Sequence, residues 1–306
     1  MIYVASLGSR PSTIVLKYAL QWFRTAQILR RERPDTVFVM TPPVFAALPA
    51  FWYAWRHGKQ VVLDAHTGAF VHPRWRLFQW LQKLMCRRAT TTLVSNEHLA
   101  ELVRDSGGYV TVVPDVPIVY PADGEFSRPA GMTIAAVCSF DRDEPLAALF
   151  EAARLLPDVR FFVTGNPRTL PSEFKDTLSP NVTLTGFLST PVYGRLLSCA
   201  DAVLVLTTYD HTMLRGAYEA IYQGTPVIVS DWPVLREAFP KAAVHVDNTP
   251  ERIVEAVRKI ESNLDAYRAE ARELRAHKLE RWVSTRQSLL TLLTRDEPLR
   301  SLATSR

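Results

Sequence analysis

Residues 202–231, AVLVLTTYDHTMLRGAYEAIYQGTPVIVSD, decide the fold of this chain of 306 residues. Two short apolar runs rich in β-branched residues, Val203–Leu206 and Pro226–Val229, predict buried strands. Apolar residues at helical spacing lie between them, and Gly224-Thr225-Pro226 ends that helix, because glycine suits a left-handed cap and proline cannot extend a helix. The stretch therefore predicts a strand–helix–strand unit of a parallel α/β sheet.

The helix of this unit begins at a loop, and that junction predicts an anion site. Free backbone N–H groups and the helix dipole both point toward the loop, which runs from Thr207 to Arg215. Arg215 supplies a cation there, and Gly216 lets a ligand approach the backbone closely. The alternative interpretation is an ordinary strand–helix–strand unit of another Rossmann-like protein.

The same stretch resembles the donor-nucleotide motif of retaining glycosyltransferases with the GT-B fold, of the group-1 or family-4 kind. Their pattern is a Glu, seven residues, a second Glu, and a Gly-Thr-Pro-Val turn and strand. The second Glu matches Glu219, and the resemblance implies that it holds the ribose hydroxyls of a nucleotide sugar. The first Glu falls on His211, a departure that the resemblance places beside the donor sugar as a candidate catalytic residue.

The loop after the first strand of the second half also departs from that family. Members commonly carry an Arg and a Lys there, which neutralise the donor diphosphate, whereas residues 139–145 read SFDRDEP. The expected Lys has no counterpart. Arg142 is present, but its acidic neighbours are predicted to hold the Arg142 side chain. Arg215, with Gly216, is the better candidate for the diphosphate, because a phosphate without a cation is costly to desolvate. The further donor-binding candidates of the resemblance are Leu214, Asp210, Arg142 and Gly165.

The first 115 residues predict a domain of the same alternating type, with a start that is short for the family. Strands are predicted at residues 36–40, 60–64, 91–94 and 109–113, helices at 16–33, 74–88 and 97–105, and a further strand at Ile2–Leu7. Residues 44–55 are apolar all round but too few to span a bilayer. They predict a buried helix, with a helix at the membrane surface as the alternative.

Polar residues at the ends of two of these strands form a second candidate site. Asp64 and His66 follow the second predicted strand, and open parallel sheets place their chemistry at the carboxyl ends of strands. The resemblance implies that this loop lines the acceptor side of a cleft, with His66 as the second candidate catalytic residue. Ser95 is also predicted to cap the helix that begins at Glu97. The acceptor-side candidates are Asp64, Thr67, Gly68, Ser95 and Asn96.

Composition restricts the class of protein. Apolar residues make up 47% of the chain and charged residues 22%, which is a globular balance. Three widely spaced cysteines indicate reduced thiols of a cytosolic protein. No apolar run is long enough to span a bilayer, and the N-terminus lacks the pattern of a secretory signal.

Charge indicates candidate partners for the first half. Residues 1–120 hold 14 Lys or Arg against 7 Asp or Glu. An anionic membrane surface or a phosphorylated acceptor is therefore a candidate partner, with solvated helix faces as the alternative. Nucleic acid is not expected as a partner, because the charges are spread over helices rather than concentrated with stacking aromatics.

The chain is thus identified as a divergent member of that glycosyltransferase family, with an α/β GT-B fold of two Rossmann-like domains facing a central cleft. Residues 1–115 are expected to form a shortened acceptor-side domain, and residues 132–294 the donor domain with its C-terminal helix. Residues 116–131, which have no periodicity and several prolines, are expected to form the linker. Residues 295–306 are expected to form a flexible tail.

The resemblance implies transfer of a sugar from a nucleotide-diphosphate donor to a hydroxyl of a glycan or lipid-linked acceptor, with retention, in polysaccharide biosynthesis. No metal and no cofactor besides the nucleotide-sugar donor are expected. The expected location is the cytoplasm, with the inner membrane face as a candidate. Three alternatives stay open: a degenerate protein that binds a nucleotide or a partner glycosyltransferase, a sugar-nucleotide epimerase, and a peripheral membrane-binding module.

Overall fold

The computed structural model describes residues 13–294, which divide into two units. The first extends to Pro114 and includes the end of the last helix from Ser284, and the second runs from Asp115 to Val283. Each contains one parallel β-sheet with helices, as the alternation of elements predicts. The strand predicted at Ile2–Leu7 and the tail predicted at residues 295–306 lie outside the described residues.

The described strands of the first unit lie in the order β1-β2-β3-β4, and all are parallel. The strands are β1 (Thr36–Thr41), β2 (Gln60–Ala65), β3 (Thr91–Val94) and β4 (Val110–Val112); the helices are α1 (Ile14–Glu32), α2 (Leu48–His57), α3 (Thr67–Val71), α4 (Gln79–Arg88) and α5 (Glu97–Asp105). At least one helix joins each strand to the next, so the order in the sheet follows the order in the chain. Buried side chains of β2, α4 and α5 pack into one core.

The helix predicted over residues 74–88 is wrong in its first half. A 3₁₀-helix at Pro73–Phe78 precedes α4. His72 ends the preceding segment in an extended conformation, and its ring nitrogen accepts the backbone N–H of Arg74 at 3.1 Å. This contact and the proline at the first position favour the tight turn, which apolar periodicity does not report.

The apolar segment at residues 44–55 is buried on one face only. A 3₁₀-helix at Val44–Ala47 leads into α2, where Ala50 and Tyr53 are buried. Trp55 is 76% exposed. The burial interpretation therefore holds for the face that packs on the sheet and fails for Trp55.

The described strands of the second unit lie in the order β10-β9-β8-β5-β6-β7, and all are parallel. The strands are β5 (Thr133–Ala136), β6 (Arg160–Thr164), β7 (Val182–Gly186), β8 (Ala202–Val205), β9 (Val227–Ser230) and β10 (Ala243–Val246). The helices are α6 (Leu146–Leu155), α7 (Ser172–Lys175), α8 (Thr190–Cys199), α9 (Arg215–Tyr222), α10 (Pro233–Ala238), α11 (Pro250–Ser262) and α12 (Leu264–Leu293). The chain runs from β5 toward one edge of the sheet and from β8 toward the other. The carboxyl ends of β5 and β8 therefore flank the crevice where open α/β sheets of this order bind ligands.

Both faces of this sheet are covered, which explains the continuous apolar runs of its strands. Ile134 and Ala136 of β5 pack with side chains of α6 and α11 on one face. Ala135 packs with side chains of α8 and α9 on the other. Every residue of β8 and β9 is buried. The predicted linker, residues 116–131, contains no helix or strand in the described structure and belongs to the second unit.

Candidate functional site

Glu219 lies in the middle of α9, and its side chain is 10% exposed. One carboxylate oxygen accepts the Tyr120 hydroxyl at 2.7 Å and the Nε–H of Arg215 at 2.9 Å, and the other accepts the Tyr193 hydroxyl at 2.7 Å. Burial, together with the negative charge of Glu219, raises the pKa of Tyr193. The Tyr193 hydroxyl therefore stays protonated and acts as the hydrogen-bond donor. Buried polar groups are stable when they are hydrogen-bonded, and these three donors hold the Glu219 side chain in a fixed position.

Sequence reasoning missed both tyrosines, which come from distant parts of the second unit. Tyr193 lies in α8, and Tyr120 lies in the irregular segment that precedes β5. Two glycines allow that segment to touch α8: a Cβ on Gly194 would lie 2.2 Å from the Pro121 carbonyl oxygen, and one on Gly124 would lie 2.4 Å from a backbone nitrogen of α8. This close contact holds Tyr120 against Glu219, and the glycines were the available signal in the sequence.

The loop after β5 holds a second internal carboxylate. The backbone N–H groups of Ser139 and Phe140 donate to Glu144 at 2.9 Å and 2.8 Å, and the Ser139 hydroxyl donates at 2.8 Å. Phe140 has a φ of +63°, in the left-handed region. Successive N–H groups turned toward one point form an anion-binding nest. The Glu144 carboxylate occupies this nest.

The acidic neighbours of Arg142 do not hold it, contrary to the prediction from the sequence. Asp141 accepts the backbone N–H of residue 142, Asp143 accepts the Thr207 hydroxyl at 2.8 Å, and Glu144 is engaged in the nest. The Arg142 side chain is exposed and makes no hydrogen bond or ion pair with any residue in the range 13–294. Its guanidinium is therefore available to an anionic ligand.

Buried Thr207, just after β8, ties the carboxyl ends of three strands together. Its N–H donates to Ser230 Oγ at 2.8 Å, and its carbonyl accepts from Asn248 Nδ2 at 3.0 Å and Trp232 Nε1 at 3.1 Å. Ser230 in turn donates to Asn248 Oδ1 at 2.7 Å. Ser230 ends β9 and Asn248 follows β10, so this network fixes the floor of the crevice.

The N-terminus of α9 places the donor-side candidates in different environments. Leu214 is the N-cap residue and is buried. Arg215 reaches along the helix to Glu219 and is 66% exposed. A Cβ on Gly216 would lie 2.7 Å from Cγ1 of Val137, so close packing against the end of β5 accounts for this glycine. The approach of a ligand to Gly216 stays a prediction.

Asp210 and His211 form a pair in the loop before α9. His211 has a φ of +58°, and its N–H donates to Asp210 Oδ1 at 2.6 Å. The other carboxylate oxygen lies 3.3 Å from His211 Nε2. Both side chains are at least 36% exposed, so the pair is accessible to a ligand.

A cavity of about 410 Å³ lies at the carboxyl ends of β5, β6 and β7. This volume lies in the range of small-molecule sites. Ser139, Gly165 and Tyr193 are among its lining residues, and Tyr193 connects the cavity to Glu219. Gly165 has a φ of +107°, and a Cβ there would lie 2.8 Å from the Cys138 carbonyl oxygen, so only glycine lets these two loops meet.

Two ionisable groups near this site were missed by sequence reasoning. Burial raises the pKa of Asp115 to about 6, while the positive charges of Arg215 and Lys278 oppose the shift. Burial lowers the pKa of Lys278 to about 8, and its ammonium lies 4.5 Å from the centre of the Tyr218 ring. Neither group has a signature in the sequence, because Asp115 follows a proline in an irregular segment and Lys278 lies on a mostly exposed helix.

The first unit brings Asp64 and His66 together after β2. His66 Nε2 lies 3.5 Å from Asp64 Oδ2, and the side chains are 57% exposed for His66 and 41% for Asp64. The hydrogen bond that the His66 ring donates to the Asp64 carboxylate raises the pKa of His66, while burial opposes the rise. This pair is open to solvent, and the neighbouring carboxylate favours the protonated form of the imidazole.

The remaining acceptor-side candidates differ from their predicted settings. Ser95 is not the cap of α5, because Asn96 directly precedes that helix and its side chain accepts the Leu99 N–H at 3.0 Å. Thr67 and Gly68 begin the short helix α3 rather than a loop. Since β2 and β3 are neighbouring parallel strands, these residues follow the same edge of the sheet.

Two family models match the chain. The model described as a glycosyl transferase 4-like domain matches residues 4–119, and the model described as glycosyl transferases group 1 matches residues 132–263. No curated protein matches the chain at a significant level.

Several solved structures are similar to this chain over most of its length and most of their own. Sucrose-phosphate synthase from Thermosynechococcus elongatus has a TM-score of 0.74 at 15% identity, covering 97% of this chain and 81% of that one. Anabaena HepE in complex with UDP-glucose has a TM-score of 0.69 at 14% identity, covering 89% and 81%. A UDP-forming α,α-trehalose-phosphate synthase from Burkholderia xenovorans has a TM-score of 0.69 at 15% identity, covering 94% and 80%. With the family models matching both halves, the chain belongs to the group-1 glycosyltransferases of the GT-B fold.

Proposed function

We propose that this enzyme transfers a sugar from a nucleotide-diphosphate donor to a hydroxyl of a glycan or lipid-linked acceptor, with retention of configuration and without a metal. The observation that carries the proposal is the Glu219–Arg215 pair of α9, joined through Tyr193 to the cavity of about 410 Å³. HepE, one of the similar structures, is in complex with UDP-glucose, which supports a nucleotide sugar as the donor.

The ribose is proposed to bind to Glu219 by exchange with the tyrosine hydroxyls. A ribose carries two neighbouring hydroxyls, and Glu219 accepts one tyrosine hydroxyl on each carboxylate oxygen. Replacing one hydroxyl donor by another preserves the number of hydrogen bonds, so the carboxylate is never left unpaired. The tyrosines thus keep the buried carboxylate satisfied while the donor is absent.

The diphosphate is proposed to lie between Arg215 and Arg142. Arg215 is two-thirds exposed at the N-terminus of α9, and Arg142 has no partner within residues 13–294. Fixed cations and helix N–H groups that face the departing phosphate stabilise the charge that develops in the transition state. The Asp210–His211 pair, next to the same helix end, is proposed to contact the donor sugar, and Gly165 to shape the cavity wall.

On the acceptor side, His66 is proposed to orient the hydroxyl that receives the sugar. Asp64 raises the basicity of His66, which suits a hydrogen-bond contact with a reacting hydroxyl. Thr67, Gly68, Ser95 and Asn96 are proposed to line the same side.

A second candidate function is a catalytically degenerate protein that binds a partner glycosyltransferase or a nucleotide. Two observations favour it: both oxygens of Glu219 already have hydroxyl partners, and the Glu144 carboxylate fills the nest after β5. A carboxylate in that nest repels a diphosphate at the same place.

Calorimetric titration with UDP, GDP, ADP and TDP, each with its common sugars, tests the two functions. The enzyme proposal requires that one nucleotide binds to the wild type and that Glu219→Ala abolishes binding. Glu173→Ala, an exposed glutamate on α7 of the same unit, is the matched control and is expected to bind normally. If every nucleotide fails to bind the wild type, the enzyme proposal is wrong and copurification with a partner glycosyltransferase becomes the prediction to test.

We also propose that the first unit contacts an anionic membrane surface on the cytoplasmic side. Large apolar side chains are exposed on this basic unit, including Phe23, Trp55, Leu77 and Trp80. Among the described residues, no helix combines the length and apolar character that a bilayer crossing requires. Sedimentation with phosphatidylglycerol vesicles is expected to carry the wild type and to lose a Trp55→Ser/Trp80→Ser variant, whereas phosphatidylcholine vesicles carry neither.

A further inference from the structure

A second cavity lies at the other end of the strands that carry the candidate donor site. It has a volume of about 540 Å³, and its lining includes Ser198 and Cys199, just before β8, and residues 223–225, just before β9. Five arginines line it: Arg128, Arg195, Arg268, Arg272 and Arg275. The other lining residues are Ser198, Cys199, Gln223, Gly224 and Thr225.

One buried carboxylate, Asp201, holds two of these arginines in place. It accepts from Arg128 at 2.7 Å and 2.9 Å and from Arg268 at 2.8 Å, and it also accepts the Thr133 N–H at 3.0 Å. The Asp201 side chain is 1% exposed. The pair of arginines therefore has a fixed geometry before any ligand binds.

The other three arginines have no carboxylate. Arg195, Arg272 and Arg275 make no side-chain hydrogen bond or ion pair with any residue in the range 13–294. Five arginines therefore line one cavity, and the Asp201 carboxylate is bonded to only two of them, which leaves a concentrated positive field.

The ends of α8 and α9 account for part of this charge but not for all of it. Cations near the last turn of a helix interact favourably with its carbonyl groups, which explains an arginine beside each helix end. Convergence of five around one concavity needs a further reason.

We propose that this five-arginine cavity binds a small, multiply charged anion of the phosphate-ester or polyphosphate class. Guanidinium groups match phosphate oxygens in paired hydrogen bonds, and several of them are needed for more than one negative charge. A volume of about 540 Å³ suits a compact ligand. Arginines that converge on one place from α8, α12 and the segment before β5 favour such a ligand over a membrane surface. The site is independent of the sugar transfer proposed above.

Calorimetric titration with tripolyphosphate at constant ionic strength tests the site. The wild type is expected to bind with saturation, and an Arg195→Ala/Arg275→Ala variant is expected to bind roughly tenfold more weakly or worse. Arg128 and Arg268 are left intact, because their removal would leave Asp201 buried without a partner. The single variant Arg272→Ala, at an exposed position, gives a second, milder reading should the double variant fail to fold.

Two controls identify where the anion binds. Arg160→Ala removes an exposed arginine of the same unit outside the cavity, and Arg215→Ala removes the cation of the candidate donor site. Arg160→Ala is expected to bind tripolyphosphate as the wild type does, and Arg215→Ala is expected to retain the saturable binding that the double variant weakens. The proposal is overturned if no variant differs from the wild type, if the wild type shows no saturable binding, or if Arg215→Ala alone abolishes it. Binding to phosphatidylglycerol vesicles through these arginines, without tripolyphosphate binding, would also overturn it in favour of a membrane contact.

Discussion

The polar groups at the carboxyl ends of the strands are satisfied in opposite ways in the two sheets; each of these ends is called the carboxyl edge of its sheet below. At the edge of the second sheet, Glu219 is buried with two hydroxyls and one guanidinium, and Glu144 fills a backbone nest. At the edge of the first sheet, Asp64 and His66 pair at 3.5 Å in contact with solvent. Buried charges need partners from the protein, whereas exposed charges are served by water. The second edge is therefore organised before a ligand arrives, and the first is free to adapt.

The largest effect that this contrast predicts comes from one glycine substitution in α8. Gly194→Ala places a Cβ 2.2 Å from the Pro121 carbonyl oxygen, which forces the segment that carries Tyr120 away from α8. We expect a loss of about 2 kcal/mol in the free energy of unfolding, as for overpacked cores. Gly68→Ala is the matched substitution at the first edge, where the nearest atom is 3.7 Å away in Pro42. In urea unfolding, Gly68→Ala should leave the free energy of unfolding nearly unchanged. Equal losses in Gly68→Ala and Gly194→Ala would contradict the contrast between the two sheets.

A smaller effect is expected when the buried carboxylate itself is removed. Glu219→Ala leaves the Tyr193 hydroxyl buried without an acceptor, whereas Glu219→Gln retains one acceptor oxygen. We expect Glu219→Ala to lower the free energy of unfolding by about 1–2 kcal/mol and Glu219→Gln by less. The exposed Arg215 is excluded from this figure, because water replaces its partner. Denaturant titration of Glu219→Ala with an unchanged midpoint would show that the edge is not organised as described.

The pH dependence of stability gives the third test of the second edge. The pKa of Asp115 is about 6 in the folded protein and about 3.9 in an unfolded chain. Between these values the folded state binds more protons, so this group makes the protein less stable as the pH rises from 4 to 6. Asp115→Asn removes that contribution. The melting temperature of the variant should therefore exceed that of the wild type above pH 6, and the two should converge toward pH 4. Parallel curves would contradict the raised pKa.

Features that depend on neighbouring residues in the chain can be predicted from the sequence, whereas contacts between distant residues cannot. Strands such as β8 and β9 are buried on both faces, so their apolar runs identify them directly. Arg215 is found from its position at the predicted helix N-terminus, and Glu219 from the resemblance of residues 202–231 to the donor motif of the family.

The partners of Glu219 lie beyond the reach of such patterns. Tyr120 is 99 residues away in the chain and meets the carboxylate only through tertiary packing. In the sequence, Glu144 is one of several acids in a charged loop. The nest that binds it depends on a left-handed backbone conformation at Phe140, and a residue other than glycine gives no sequence signal for that conformation. The cap of α5 was misplaced by one residue because both Ser95 and Asn96 can cap a helix. Apolar patterning thus predicts the fold, the resemblance to the family identifies Glu219, and the contacts of Glu219 require the structure.

The smallest effect is expected at the open edge of the first sheet. Asp64 raises the pKa of His66, and Asp64→Asn is expected to return it toward its usual value. The pair stabilises the folded state when the imidazole is protonated, so its contribution is present below about pH 6.5 and is lost as the pH rises through the raised pKa. Because both side chains are largely exposed, the free energy of unfolding should change little at any pH. Titration of the His66 ring by NMR measures the shift directly; an unchanged midpoint in Asp64→Asn would show that water, rather than Asp64, sets the protonation of His66.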